Sequence, residues 1–134
     1  MQLLFDASAL ANLVIRRGRN ALAATKGNFA LDLTGYEAGN ALWRLCALEK
    51  KITVEEAKAF LDAIAGFLSI LTLISFAEVD PKYILSLAVS KRLTFYDASY
   101  LAAAEARRLT LVTDDEALTR AAEQFVETKN STQV

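Results

Sequence analysis

Short apolar runs alternate with longer stretches of helical periodicity along the whole chain. Leu3 to Phe5 is a three-residue apolar run, and Leu10, Leu13 and Val14 then recur at helical spacing until Arg16-Arg17-Gly18-Arg19-Asn20 interrupts them. The pattern next predicts a strand over 29–33, a helix over 35–50 with Ala38, Ala41, Leu42 and Leu45 on its inner stripe, and another helix opened by Thr53. Ala57, Phe60, Leu61, Ile64, Phe67, Leu68 and Leu71 keep an i, i+3, i+4 rhythm, which makes this last helix the plainest amphipathic one in the chain. A strand over 71–76, a helix from Pro81 to Ser90 and an alanine-rich helix over 97–108 follow. The pattern closes with a strand over 109–112, a helix over 116–124 and a short strand at Phe125-Val126.

Strands alternating with helices imply an α/β fold, a three-layer α/β/α sandwich around a mainly parallel sheet. The 134 residues suit one domain, read as residues 1–128, with residues 129–134 as a polar, disordered C-terminal tail. No internal repeat or linker interrupts the domain.

Composition narrows the chemistry. The chain has no histidine, which excludes Ser-His-Asp and Cys-His machinery and histidine-ligated zinc. Its one cysteine, Cys46, rules out an internal disulfide and reads as an ordinary buried thiol in a reducing cytoplasm. Neither GxGxxG nor GxxxxGK[ST] occurs. A formal charge of −1 leaves any polyanionic partner to a local patch. The greasiest stretch, residues 63–77, is too short and too interrupted by Gly66, Ser69, Thr72 and Ser75 to span a membrane, and no secretory leader is expected.

Carboxylates remain, and they fall at the openings of separate helical segments: Asp6, Glu37, Asp97 and the pair Asp114-Asp115. Each has an ordinary explanation. Asp6 and Asp97 suit helix N-caps, while Thr34 to Glu37 and Thr113 to Glu116 match capping boxes. Helical phase adds something that capping does not require, because Glu37 shares a stripe with Ala41 and Leu45, and Asp97 shares one with Leu101 and Ala104. Both acids should therefore point inward, where an ionised carboxylate needs partners or a cation. Asn40 lies one turn from Glu37 and is a candidate partner. Ser8 is placed either to bond a first-turn amide or to hold Asp6. Asp114 is expected to face solvent.

The basic doublets Arg16-Arg17, Lys50-Lys51, Lys91-Arg92 and Arg107-Arg108 fall near helix C-termini, where the helix dipole favours them. Arg16, Arg17 and Arg19 form the densest set and the first candidates for phosphate contact. Tyr96 and Tyr100, beside Asp97, are the aromatics to test against a nucleotide.

Four blocks in order, Leu-Phe-Asp-Ala-Ser at 4–8, Tyr-Glu-Ala-Gly-Asn-Ala-Leu-Trp at 36–43, Tyr-Asp-Ala-Ser-Tyr-Leu-Ala at 96–102 and Leu-Val-Thr-Asp-Asp at 111–115, resemble the PIN-domain ribonucleases. The likeness is strongest to the VapC-type toxins of prokaryotic toxin-antitoxin pairs. It implies a PIN-like fold whose acids, matched here by Asp6, Glu37, Asp97 and Asp115, bind Mg²⁺ or Mn²⁺ and cut RNA. Asp6 and Asp97 would be the main ligands, with Glu37 and Asp115 completing the site, and Ser8 and Thr113 match the accompanying hydroxyls. Asp114 leaves the last acid ambiguous by one residue. The resemblance also points to an antitoxin partner and a homodimer, for which the apolar helix over 55–71 and the helix before it offer a surface. Two other readings stand beside it: a phosphoacceptor signalling domain, which would want clustered acids on the first strand and a lysine near the last, and a catalytically silent binding module of the same fold.

Overall fold

The structure, a computed structural model, describes residues 2–134. Five parallel strands, β1 (Leu3–Phe5), β2 (Phe29–Leu31), β3 (Thr72–Ile74), β4 (Thr110–Val112) and β5 (Thr128–Lys129), form one sheet in the order β3-β2-β1-β4-β5. Around it lie α1 (Ala7–Arg17), α2 (Leu22–Thr25), α3 (Thr34–Trp43), α4 (Val54–Ile70), α5 (Pro81–Lys91), α6 (Phe95–Arg107) and α7 (Glu116–Ala122).

Alternation along the strands divides the core into two layers. Leu4, Leu31 and Leu111 face Ile84 and Leu87 of α5, Leu101 of α6 and Leu118 of α7. Phe5, Ala30 and Val112 face Leu10 and Leu13 of α1, Leu42 of α3, and Ile64 and Phe67 of α4. This is the expected three-layer sandwich.

Local chemistry starts and stops the helices where the core needs them. Thr53 and Glu56 form a reciprocal capping box at the head of α4, with both bonds at 3.0 Å, and Asp80 with Pro81 opens α5. Gly18, at φ 53°, turns the chain out of α1.

Connectivity places the site. From β1 the chain builds outward to β2 and β3, then returns to β1's other edge as β4, so the chain's direction across the sheet reverses at β1. Leu3, Leu4 and Phe5 pair with Thr110, Leu111 and Val112, which brings the next residues, Asp6 and Thr113, side by side at the carboxyl ends of the strands. Ligands of open α/β sheets settle at such a reversal.

Three expectations are corrected. The last strand is Thr128–Lys129, not Phe125-Val126. The tail is ordered: Lys129 pairs with Val112, and Ser131–Gln133 form a 3₁₀ turn whose Ser131 amide and hydroxyl donate to Asp114 at 2.7 and 2.6 Å. Arg16 and Arg17 donate to the Ser131 and Val134 carbonyls at 2.7 and 3.0 Å, so these two guanidinium groups hold the C-terminus. Third, the helix over 35–50 is α3 followed by a π-helical turn, Arg44–Leu48, in which Cys46 is only partly buried. As expected, residues 63–77 divide between α4, β3 and the turn after them, and among the described residues no helix is long and apolar enough to cross a membrane.

Candidate active site

Asp6 leaves the end of β1 and caps α1. Its Oδ1 accepts from the Ala9 amide at 2.8 Å and from the Ser8 hydroxyl at 2.7 Å, and its Oδ2 accepts from Thr113 Oγ1. The residue is 4% exposed. Burial lifts its pKa from 3.8 to about 6, against the lowering effect of those three hydrogen bonds and with a small push from the Asp97 charge. Asp6 is thus both a cap and a carboxylate held ready to share or surrender its charge.

Glu37 stands in the first turn of α3, half-buried as its helical phase predicts. The Tyr100 hydroxyl donates to its Oε1 at 2.8 Å. Asn40 is exposed, makes no hydrogen bond to Glu37, and so does not serve as its partner. Burial again raises the pKa, the Tyr100 bond lowers it, and the Asp97 charge raises it.

Asp97 is half-buried in the first turn of α6 but does not cap it. That role falls to Thr94, whose Oγ1 accepts from the Asp97 amide at 3.1 Å. Burial raises the Asp97 pKa first, and the Asp115 charge raises it further. Asp97 is therefore the neighbour that Asp6, Glu37 and Asp115 share.

The adjacent acids at the end of β4 divide their duties. Asp115 is exposed, caps α7 by accepting from the Leu118 amide at 2.8 Å, and donates its own amide to Thr113 Oγ1 at 3.1 Å. Asp114 does not face open solvent as expected. It clasps Ser131 and accepts from Asn12 Nδ2 at 2.8 Å. Burial pushes its pKa up, but the Ser131 and Asn12 bonds and the Arg16 charge outweigh that and hold it below the ordinary value. Asp114 also donates its amide to Ser8 Oγ at 3.1 Å, so Ser8 bridges the loops after β1 and β4.

Neither expected capping box forms. The Thr34 and Thr113 hydroxyls bond across the fold instead, Thr34 to Tyr100 at 2.9 Å and Thr113 to Asp6. The explanation that competed with function for Glu37 is thereby removed.

What sequence reasoning missed is the hydrogen bonding of Tyr100 and Thr34 at the site. Tyr100, expected near a nucleotide, is 1% exposed and meets Glu37 instead, whereas Tyr96 is 56% exposed. The available signal was spacing: Tyr100 follows Asp97 by three residues and shares its helix face.

No cation among the described residues pairs with these acids. Among the described residues the ion pairs are Lys51 with Glu49, Lys58 with Glu55 and Arg107 with Glu78, and none reaches Asp6, Glu37, Asp97 or Asp115. Burial first, and a neighbouring carboxylate second, make ionisation of Asp6, Glu37 and Asp97 costly. Oxygen donors of this kind suit a hard dication. Among the described residues no three acids close into a finished metal cage.

No family model matches the chain. Among curated proteins it is 35% identical over 130 residues to Ribonuclease VapC3 of Pyrobaculum aerophilum, covering 93% of this chain and 95% of that protein. It is 40% identical over 90 residues to Exonuclease VapC9 of the same organism, covering 66% and 62%. Among solved structures, PAE2754 from Pyrobaculum aerophilum superposes with a TM-score of 0.78 at 31% identity, over 99% of this chain and 92% of that one. VapBC2 from Rickettsia felis, solved bound to a DNA fragment from their promoter, shares the fold with a TM-score of 0.60 at 19% identity, over 97% and 98%.

Proposed function

The chain belongs to the VapC family of ribonucleases, the toxins of type II toxin-antitoxin pairs, and from that premise we propose that it is a metal-dependent endoribonuclease. The observation that carries the reading is the position of Asp97, whose charge is felt by Asp6 and Glu37 and which itself feels Asp115. Asp6, Glu37 and Asp115, each from a different segment of the chain, thus lie within electrostatic reach of Asp97 near the reversal point of the sheet.

Asp6 and Asp97 are the proposed main ligands of Mg²⁺ or Mn²⁺, with Glu37 and Asp115 completing the site directly or through water. A divalent cation bound there would offset charge developing on phosphorus and ease deprotonation of the attacking water. The protein's own groups fix the geometry. Thr113 and Ser8 hold the two oxygens of Asp6, and Tyr100 holds one oxygen of Glu37. Asp97, free of capping, keeps its carboxylate for the site.

The proposed partners are single-stranded or structured RNA, a cognate antitoxin and a second copy of the chain. Supporting the protein partners, Trp43, Leu48, Val54, Leu61 and Ile70 expose apolar surface on α3, α4 and the π-helical turn between them. Beside the acids, a groove of about 310 Å³ between α1 and α3 is lined by Ser8, Ile15, Glu37, Asn40, Arg44 and Leu45, among others, and gives a partner access to the site.

Mapping RNA ends in cells after induced expression tests the reading. Discrete internal cuts absent from an Asp6→Asn control are expected. Progressive shortening from RNA ends would instead make the chain an exonuclease, and an unchanged RNA population would remove the ribonuclease assignment.

A further inference from the structure

A single-file hydrogen-bond relay runs from the sheet to Glu37. The Leu31 amide donates to Thr34 Oγ1 at 3.0 Å, Thr34 Oγ1 lies 2.9 Å from the Tyr100 hydroxyl, and that hydroxyl donates to Glu37 Oε1 at 2.8 Å. Its direction is forced. An amide can only donate, an ionised carboxylate can only accept, and each hydroxyl between them has one proton to give, so Thr34 must donate to Tyr100.

Burial alone does not require this arrangement. A buried phenol needs a partner, and the Thr34 oxygen could have accepted its proton. Instead that proton goes to a half-buried carboxylate at the acid cluster, in a charge-assisted bond roughly twice as strong as a neutral one. The anchor is equally particular. The relay begins at the last residue of β2, the central layer of the fold, and both hydroxyls are buried.

Tyr100 lies one turn after Asp97 on the same face of α6. That helix therefore carries one acid directly and restrains a second, borne on α3, through its phenol.

We propose that Tyr100, oriented by Thr34, is a positioning residue of the nuclease centre that fixes the Glu37 carboxylate relative to Asp97. The role in catalysis rests on the reading of Glu37 as part of that centre; the positioning itself does not.

A crystal structure of the Tyr100→Phe protein and Mn²⁺ titrations of a small variant set test it together. Phenylalanine fills the same volume, so the fold is expected to persist while the Glu37 carboxylate leaves its place. Mn²⁺ affinity should fall about ten- to a hundredfold, as when partners of metal ligands are removed elsewhere, with kcat dropping more than KM rises. Thr34→Ser should stay near wild type, and Thr34→Val should weaken Mn²⁺ binding. In a Glu37→Ala background, Tyr100→Phe should cause no further loss of affinity. Glu37 unmoved in the Tyr100→Phe structure, or an equal loss with and without the Glu37 carboxylate, overturns the proposal. If Tyr100→Phe does not fold, the position of Glu37 in Thr34→Val decides. A wild-type protein that takes up no Mn²⁺ defeats the metal-dependent reading, while the Glu37 position still decides the relay.

Discussion

Thr113 and Asp6, 107 residues apart in sequence, meet side chain to side chain where β4 lies beside β1. The threonine hydroxyl donates to Asp6 and also accepts the Asp115 amide, so one oxygen ties the two candidate ligands to the sheet. Thr113→Val keeps the shape and deletes both bonds. Leaving a buried carboxylate short of a donor is expected to cost about 2 kcal/mol, read by urea unfolding in metal-free buffer. Thr113→Ser should recover most of it. Equal stability of the valine variant and the wild type would show that the bond contributes nothing to folding.

The raised pKa of Asp6 sets a pH dependence of definite sign. Burial and the Asp97 charge lift it to about 6 although three hydrogen bonds pull it down, so between about 4 and 6 the folded protein holds a proton that the unfolded chain has released. Without metal, the stability that this proton confers is present below the unfolded pKa and is lost as pH rises through about 6. Asp6→Asn has no such proton to lose. In EDTA its stability advantage over wild type should be largest near pH 7.5 and shrink by roughly 3 kcal/mol toward pH 4, as a shift of about two units implies. An advantage that grows as pH falls would show that the carboxyl is instead depressed.

Asp114 and Asp115 predict opposite outcomes despite being adjacent. Asp114→Ala removes the acceptor of Ser131 and Asn12 and should free the C-terminal segment. A melting point lower by about 5 °C and faster proteolysis within 128–134 are expected, with RNA cleavage retained. Asp115→Asn should keep the tail docked and reduce cleavage. Loss of cleavage only in the Asp114 variant would exchange their roles.

Much of this was legible because strand and helix signals are local. Apolar runs mark β1 to β4, and helical phase turns Glu37 and Asp97 inward, where both are half-buried. What sequence could not show were hydrogen-bond choices made at long range. Thr34 and Thr113 looked like helix caps because each sits three residues before a glutamate, yet both hydroxyls found stronger or more buried partners across the fold. Residues 129–134 look disordered in sequence because they are mostly polar, but polar bonds to Asp114, Arg16 and Arg17 order them, with Val134 packed against the core. Spacing along the helix makes Asn40 a candidate partner for Glu37. Tyr100 won from a different helix, 63 residues away in sequence.

Asp97→Asn probes the site at the residue its other acids share. Removing this charge relieves repulsion with Asp6, Glu37 and Asp115, so without metal the variant should melt no lower than wild type. The direct test is cleavage of a labelled RNA by both proteins, in Mg²⁺ and in EDTA, with melting curves recorded alongside. Wild type should cut in Mg²⁺ and stop in EDTA, while the folded Asp97→Asn protein cuts in neither. Cleavage by Asp97→Asn at the wild-type rate, or wild-type cleavage indifferent to EDTA, would contradict a metal-dependent nuclease centred on Asp97.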